Sequence, residues 1–254
     1  MTQSNPLTAA LAAAAALIAL AFALMCLDRF LSRRQPQELA WSVAMSLFSI
    51  GSLTLWFGES VGWTALAFRI FFLTGAVLNV AWLSLGTVYL LAGRRVGDVA
   101  RSWLIAASCF SSGVVLFAPL RSTVGGHELP TGREVFGPFS RALAAVGSGI
   151  PALLIIGGAM WSAWRIVRGN SPTITSALRR HVDSPRRLAV GNACIAAGTL
   201  ILSGSGSLAG RFGKDEAFAI TLLAGVVVLF VGFLVASNSF TRAQRTTALA
   251  LIGD

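Results

Sequence analysis

Residues 7–27 read LTAALAAAAALIALAFALMCL, and residues 28–34 that follow read DRFLSRR. A helix of ~20 mostly apolar residues spans the ~30 Å hydrocarbon core of a bilayer, so this uncharged run has the length of a membrane crossing. A secretory signal would place positive charge ahead of the run and a small-x-small cleavage site behind it. Here residues 1–6 (MTQSNP) carry no Lys or Arg, and the arginines come afterwards. The stretch therefore predicts a retained helix whose N-terminus lies outside.

Six further segments have the same character, at 39–57, 65–92, 102–119, 141–163, 188–209 and 217–237, each bounded by charge or turn residues. Composition agrees: 55% of the 254 residues are hydrophobic and only 12% charged, against roughly a quarter charged in soluble chains. Too little polar surface remains to cover a water-facing globule. The expected fold is all-α, a polytopic membrane protein forming a single domain over 1–254, with seven transmembrane helices.

Basic residues set the expected orientation. With the N-terminus outside and the C-terminus cytoplasmic, fourteen fall on the inside: Arg29, Arg33, Arg34, Arg94, Arg95, Arg101, Arg165, Arg168, Arg179, Arg180, Arg186, Arg187, Arg242 and Arg245. Six fall outside: Arg69, Arg121, Arg133, Arg141, Arg211 and Lys214. Trp41, Trp103, Trp161 and Trp164 lie at expected inner boundaries, and Trp56 and Trp63 at outer ones, as an aromatic belt requires. Nineteen Arg to one Lys, with Ala-rich helices, indicates a GC-rich coding bias, so the expected location is the bacterial plasma membrane.

Several chemistries lack their residues. Retinal needs a mid-membrane lysine on the last helix, yet the single lysine, Lys214, precedes that helix. Paired-imidazole haem is excluded because His127 and His181 sit in loops on opposite sides. Zinc needs three converging His or carboxylate ligands, which no segment offers. Cys26, Cys109 and Cys194 form no CxxC pair and read as small apolar residues. All ten acidic residues are read as lying outside helix cores, so a proton- or sodium-coupled pump has no relay. Arg69, set just inside an apolar run, is expected to reach headgroups or Glu59. No cofactor, no metal and no catalysis are expected.

Candidate functional residues come from two segments. In the third, Phe68, Phe72, Gly75, Asn79, Trp82, Gly86, Tyr89 and Gly93 recur at steps of three and four, one stripe of a helix. An amide facing lipid would be left unsatisfied, so this stripe points at other helices. In the sixth, Asn192, Thr199 and Ser203 share a face that leads into the run LSGSGS at 202–207. Two readings stand side by side. Small and amide residues close-pack helices, or Asn79, Trp82, Tyr89, Asn192, Thr199 and Ser203 line a ligand cavity. Serines at 42, 46, 49, 108, 111 and 112 make the interior mildly polar and uncharged. Such an interior suits a neutral or amphipathic molecule, a lipid or a quinone better than an ion. Pro151 is the one proline deep in a segment.

Arg165, Arg168, Arg179, Arg180, Arg186 and Arg187 cluster in one inner loop, where each is worth ~1 kcal/mol against an anionic leaflet. They are expected to contact lipid headgroups, not nucleic acid. The expected function is non-enzymatic: an accessory subunit of a membrane complex or homo-oligomer, or a binder of a small apolar or neutral ligand or lipid. A facilitator or channel for a neutral molecule, lined by the third and sixth helices, is the alternative.

Overall fold

The computed structural model describes residues 6–167, 190–191, 193–202, 204 and 215–252, with side chains for 6–161, 190–191, 193–202, 204 and 217–235. Every element among the described residues is helical. In chain order come α1 (Pro6–Arg33), α2 (Pro36–Val61), a continuous run Ala65–Phe117, the single turn Gly132–Val135, then Pro138–Val167, Ala193–Leu202 and Asp215–Ile252. Five are long and apolar enough to cross a membrane: Pro6–Arg33, Pro36–Val61, Ala65–Phe117, Pro138–Trp161 and Ala217–Val235. This is an integral membrane protein built of apolar helices.

The run Ala65–Phe117 doubles back on itself at Gly93. There the backbone takes φ 82° and ψ 176°, a conformation essentially reserved for glycine. The two limbs, α3 (65–92) and α4 (94–117), then pack side by side. The Tyr89 hydroxyl donates to Asp98 at 2.9 Å, and Trp82 Nε1 donates to the Ser108 hydroxyl at 3.2 Å. The fourth segment thus begins at Arg94, not near 102. We number the later helices α5 (Gly132–Val135), α6 (Pro138–Val167), α7 (Ala193–Leu202) and α8 (Asp215–Ile252).

A short turn joins α1 to α2, with Arg34 in the left-handed region at φ 53° and its amide on the Phe30 carbonyl. Two hydroxyls then fix the antiparallel register. Ser42 donates to the Ala23 carbonyl and Ser49 to the Ala16 carbonyl, both at 2.9 Å. These cross-helix bonds are the polar contacts that hold membrane helices together when lipid offers no hydrophobic drive. Ser108 and Ser112, by contrast, bond back to the preceding turn of α4.

At one end of the bundle, Trp63, Phe68, Phe72 and Phe136 pack their rings together, with Phe68 and Phe136 stacked at 5.6 Å and Phe72 and Phe136 at 4.6 Å. We call this the Trp63 end. At the opposite, Gly93 end, Phe22 lies 4.6 Å from Phe233, and Trp41 sets its edge on Phe233 while lying against Gly86. α6 is the outlier: 11% of its most apolar stretch is buried, against 39–50% for the other long helices.

Three expectations need correcting. α2 continues through Gly58-Glu59 to Val61, so Glu59 is 2% exposed inside the bundle end instead of lying in a loop. Glu38, in the first turn of α2, is buried as well, and the Cys26 thiol donates to its carboxylate. Both follow from residues 34–36 and 61–64 making such short turns that the helix ends are drawn under their neighbours. Trp63 is no belt residue, because its ring is buried against Gly58. Arg69, expected to reach headgroups or Glu59, is half-buried. Its Nη2 donates 2.8 Å to the Ala118 carbonyl, one of the acceptors left over where α4 ends.

Candidate functional site

Halfway along α3 the helix changes pitch. Thr74 turns its hydroxyl onto the Ile70 carbonyl at 2.8 Å. The backbone over Phe72–Leu78 widens to π-helical turns, so that the Asn79 amide reaches the Thr74 carbonyl five residues back. Returning from five-residue to four-residue spacing leaves one carbonyl in this stretch without a donor from its own helix. Such widened turns are costly and occur frequently at functional sites.

α6 interrupts its own ladder at the same level. Pro151 has no N–H to give the Gly147 carbonyl four residues earlier. Gly147 sits against α3 so closely that a Cβ there would stand 2.6 Å from the Val77 carbonyl oxygen. Further along, Gly158 meets Thr87 and Leu91, so α3 and α6 run parallel in register. Asn79 is at the middle of α3 and Pro151 at the middle of α6. Two backbone faults and an amide therefore share one depth.

Asn79 is 4% exposed, and its Oδ1 has no hydrogen-bond partner among the described residues. A buried acceptor left unmade costs ~1–3 kcal/mol. One turn away on the same face, Gly75 is half-buried, its backbone beside Gly51 of α2, with nothing within 4 Å of the point where a side chain would begin. No Asp, Glu, Lys, Arg or His occurs between Arg69 and Arg94, nor between Arg141 and Arg165. The turn is thus rich in acceptors, uncharged and open on one flank.

The other candidate residues divide. Trp82 and Tyr89 share the stripe with Asn79, but their polar atoms are engaged on α4, by Ser108 and Asp98. Asp98 also lies 3.6 Å from Arg101 and 4.0 Å from Arg94 at the surface. Thr199 is buried on α7, with its hydroxyl on the Ile195 carbonyl at 2.8 Å and no bond to Asn79. Asn192, Ser203, Arg168, Arg179, Arg180, Arg186 and Arg187 lie outside the described residues, and Arg165 is described by its backbone in α6 alone. Thr74 and Gly147 carry no mark in the sequence, whereas Gly75 stands on the stripe with Asn79. Pro151 was the available signal, since a lone mid-span proline locates a fault in a helix.

Comparison with protein-family models, curated proteins and solved structures finds no match to this chain. The mid-bundle turn is the basis for a functional reading.

Proposed function

We propose that this is a non-enzymatic, seven-crossing protein of the bacterial plasma membrane that binds a small neutral ligand at the Asn79 turn. The reversal at Gly93 supports counting α3 and α4 as separate crossings, and the arginine bias supports an outside N-terminus with the Trp63 end outward. The six arginines at 165–187 then lie against anionic headgroups. One observation carries the ligand reading: a nine-tenths-buried amide whose acceptor is unmade, at the end of the π-helical turn that packs on α6 at Gly147. Irregular backbone at membrane depth is tolerated where it is buried in protein or lines a cavity.

Binding fits better than facilitated passage. The ring cluster of Trp63, Phe68, Phe72 and Phe136 closes one end of the bundle, and Trp41 on Gly86 narrows the other. An accessory-subunit role has its own support in α6, whose thin burial leaves Val146, Gly149, Ile150 and Leu153 as apolar surface that a partner chain or second copy could cover.

Asn79→Leu tests the ligand reading, because it replaces the amide with an apolar group of nearly the same size. In ligand-free detergent the variant is expected to hold or raise its unfolding temperature, since an unmade buried acceptor is removed. If Asn79 serves packing, the variant instead loses an interhelical bond of ~0.6–2 kcal/mol and unfolds at lower temperature.

A further inference from the structure

Resting on that reading, we infer that the ligand is a membrane-dissolved hydroxyl compound, an alcohol or hydroquinone, and that it reaches Asn79 sideways from the bilayer past Gly75. The polarity of the site fixes the class. Asn79 Oδ1 is an unmade acceptor, and the change of pitch in α3 and the missing N–H of Pro151 each leave a carbonyl short of a donor at the same depth. A group filling this turn must donate hydrogen bonds. A carbonyl, ether or ester can accept from the Asn79 Nδ2 but leaves Oδ1 and both carbonyls unmade.

Charge narrows it further. Neither α3 from residue 70 to 93 nor α6 from 142 to 164 carries an acidic or basic residue. An ammonium group or a bare cation would enter an apolar interior with no counter-charge, a large desolvation cost. A hydroxyl donates without that cost.

Access follows from what surrounds the turn. Between Asn79 and the Trp63 end stand the rings of Phe68, Phe72 and Phe136, the latter pair 4.6 Å apart. Towards the Gly93 end, Gly86 is filled by the Trp41 indole, and Gly97 by the Tyr89 ring. On the flank, Gly75 is half-buried with nothing within 4 Å of its missing side chain, one turn from Asn79 and on its face. Gly51 of α2 lies beside the Gly75 backbone, and α6, which packs on α3 at Val77, is the least buried long helix among the described residues. A solute arriving from water meets aromatic rings at either end. One dissolved in lipid meets a gap at Gly75.

The test uses the full chain in phosphatidylcholine nanodiscs and two radiolabelled probes, decylhydroquinone and its dimethyl ether. They share ring and tail, but the ether has no donor. The expected result is saturable binding of the hydroquinone at least tenfold tighter than of the ether, with the difference abolished in Asn79→Leu. 1-Dodecanol should compete if any hydroxyl suffices, and should fail if the ring is also required; both outcomes keep the donor requirement. Gly75→Leu, which closes the flank and leaves Asn79 intact, should weaken hydroquinone binding at least tenfold. Equal binding of hydroquinone and ether by the wild-type chain overturns the donor class while leaving an occupied site standing. Binding unaltered in Gly75→Leu overturns sideways access. If neither hydroquinone nor dodecanol binds saturably, the hydroxyl-ligand inference is overturned. A lowered unfolding temperature of Asn79→Leu, measured separately, then decides whether the site itself falls with it.

Discussion

Trp82 shows how a residue's type can be read in advance while its partner cannot. Its place on the inward stripe was legible from the spacing of Phe72, Gly75, Asn79 and Gly86. That its indole N–H ends on Ser108, 26 residues onward, depends on the reversal at Gly93. Arg69 is plainer still: its acceptor is a backbone carbonyl 49 residues away, and a carbonyl leaves no mark in a sequence. Glu59 was misplaced because Gly58-Glu59-Ser60 has the composition of a loop, while Trp63 packing onto Gly58 holds it in the last turn of α2. The Trp82–Ser108 bond supports a prediction at this scale. Ser108→Ala and Trp82→Phe should each lower stability by ~0.6–1.7 kcal/mol through this bond, beyond any volume effect. The double variant should show coupling of that size in a thermal-unfolding cycle. Strict additivity would mean that the two side chains stabilise α3 and α4 independently.

Among the elements, the long apolar runs were recognised because a bilayer demands ~20 apolar residues and little else in the chain supplies them. The pitch change in α3 was not. Residues 70–78 are apolar apart from Thr74, so no alternation of polar and apolar side chains registers whether the turn holds 3.6 residues or more. Pro151 did carry information, and its meaning became clear once α6 was found in register beside α3. Proline and π-turn together give a prediction at the element scale. Pro151→Ala returns an N–H to the Gly147 carbonyl and straightens α6, so the unfolding temperature should rise. The same change should weaken hydroquinone binding, because one fewer acceptor is left unmade. Stability and binding moving in the same direction would detach Pro151 from the site.

For the whole molecule, charge alone sets the expected orientation, so the test is of topology. Reporter fusions after Gly126 should read as extracytoplasmic and those after Ser176 as cytoplasmic. Reversal of the pair would turn the Trp63 end towards the cytoplasm and leave the geometry of the Asn79 turn unchanged. The site is shaped within the bundle; the orientation decides which leaflet borders each end of it.

The reversal at Gly93 also bears on the order in which the chain is assembled. Both bonds that clasp α3 to α4 close loops of 26 residues or fewer, for which the entropy of closure is small. The pair is therefore able to insert as a finished hairpin as soon as Phe117 has cleared the ribosome, while Pro138 and all that follows have yet to emerge. α6 arrives at a surface already built, and with it come Gly147 and Pro151. The surroundings of Asn79 are thus completed late in biogenesis, by the long helix that is least buried among the described residues. A nascent chain arrested with α4 emerged and Pro138 still in the ribosome would display the π-turn to lipid before α6 packs on it.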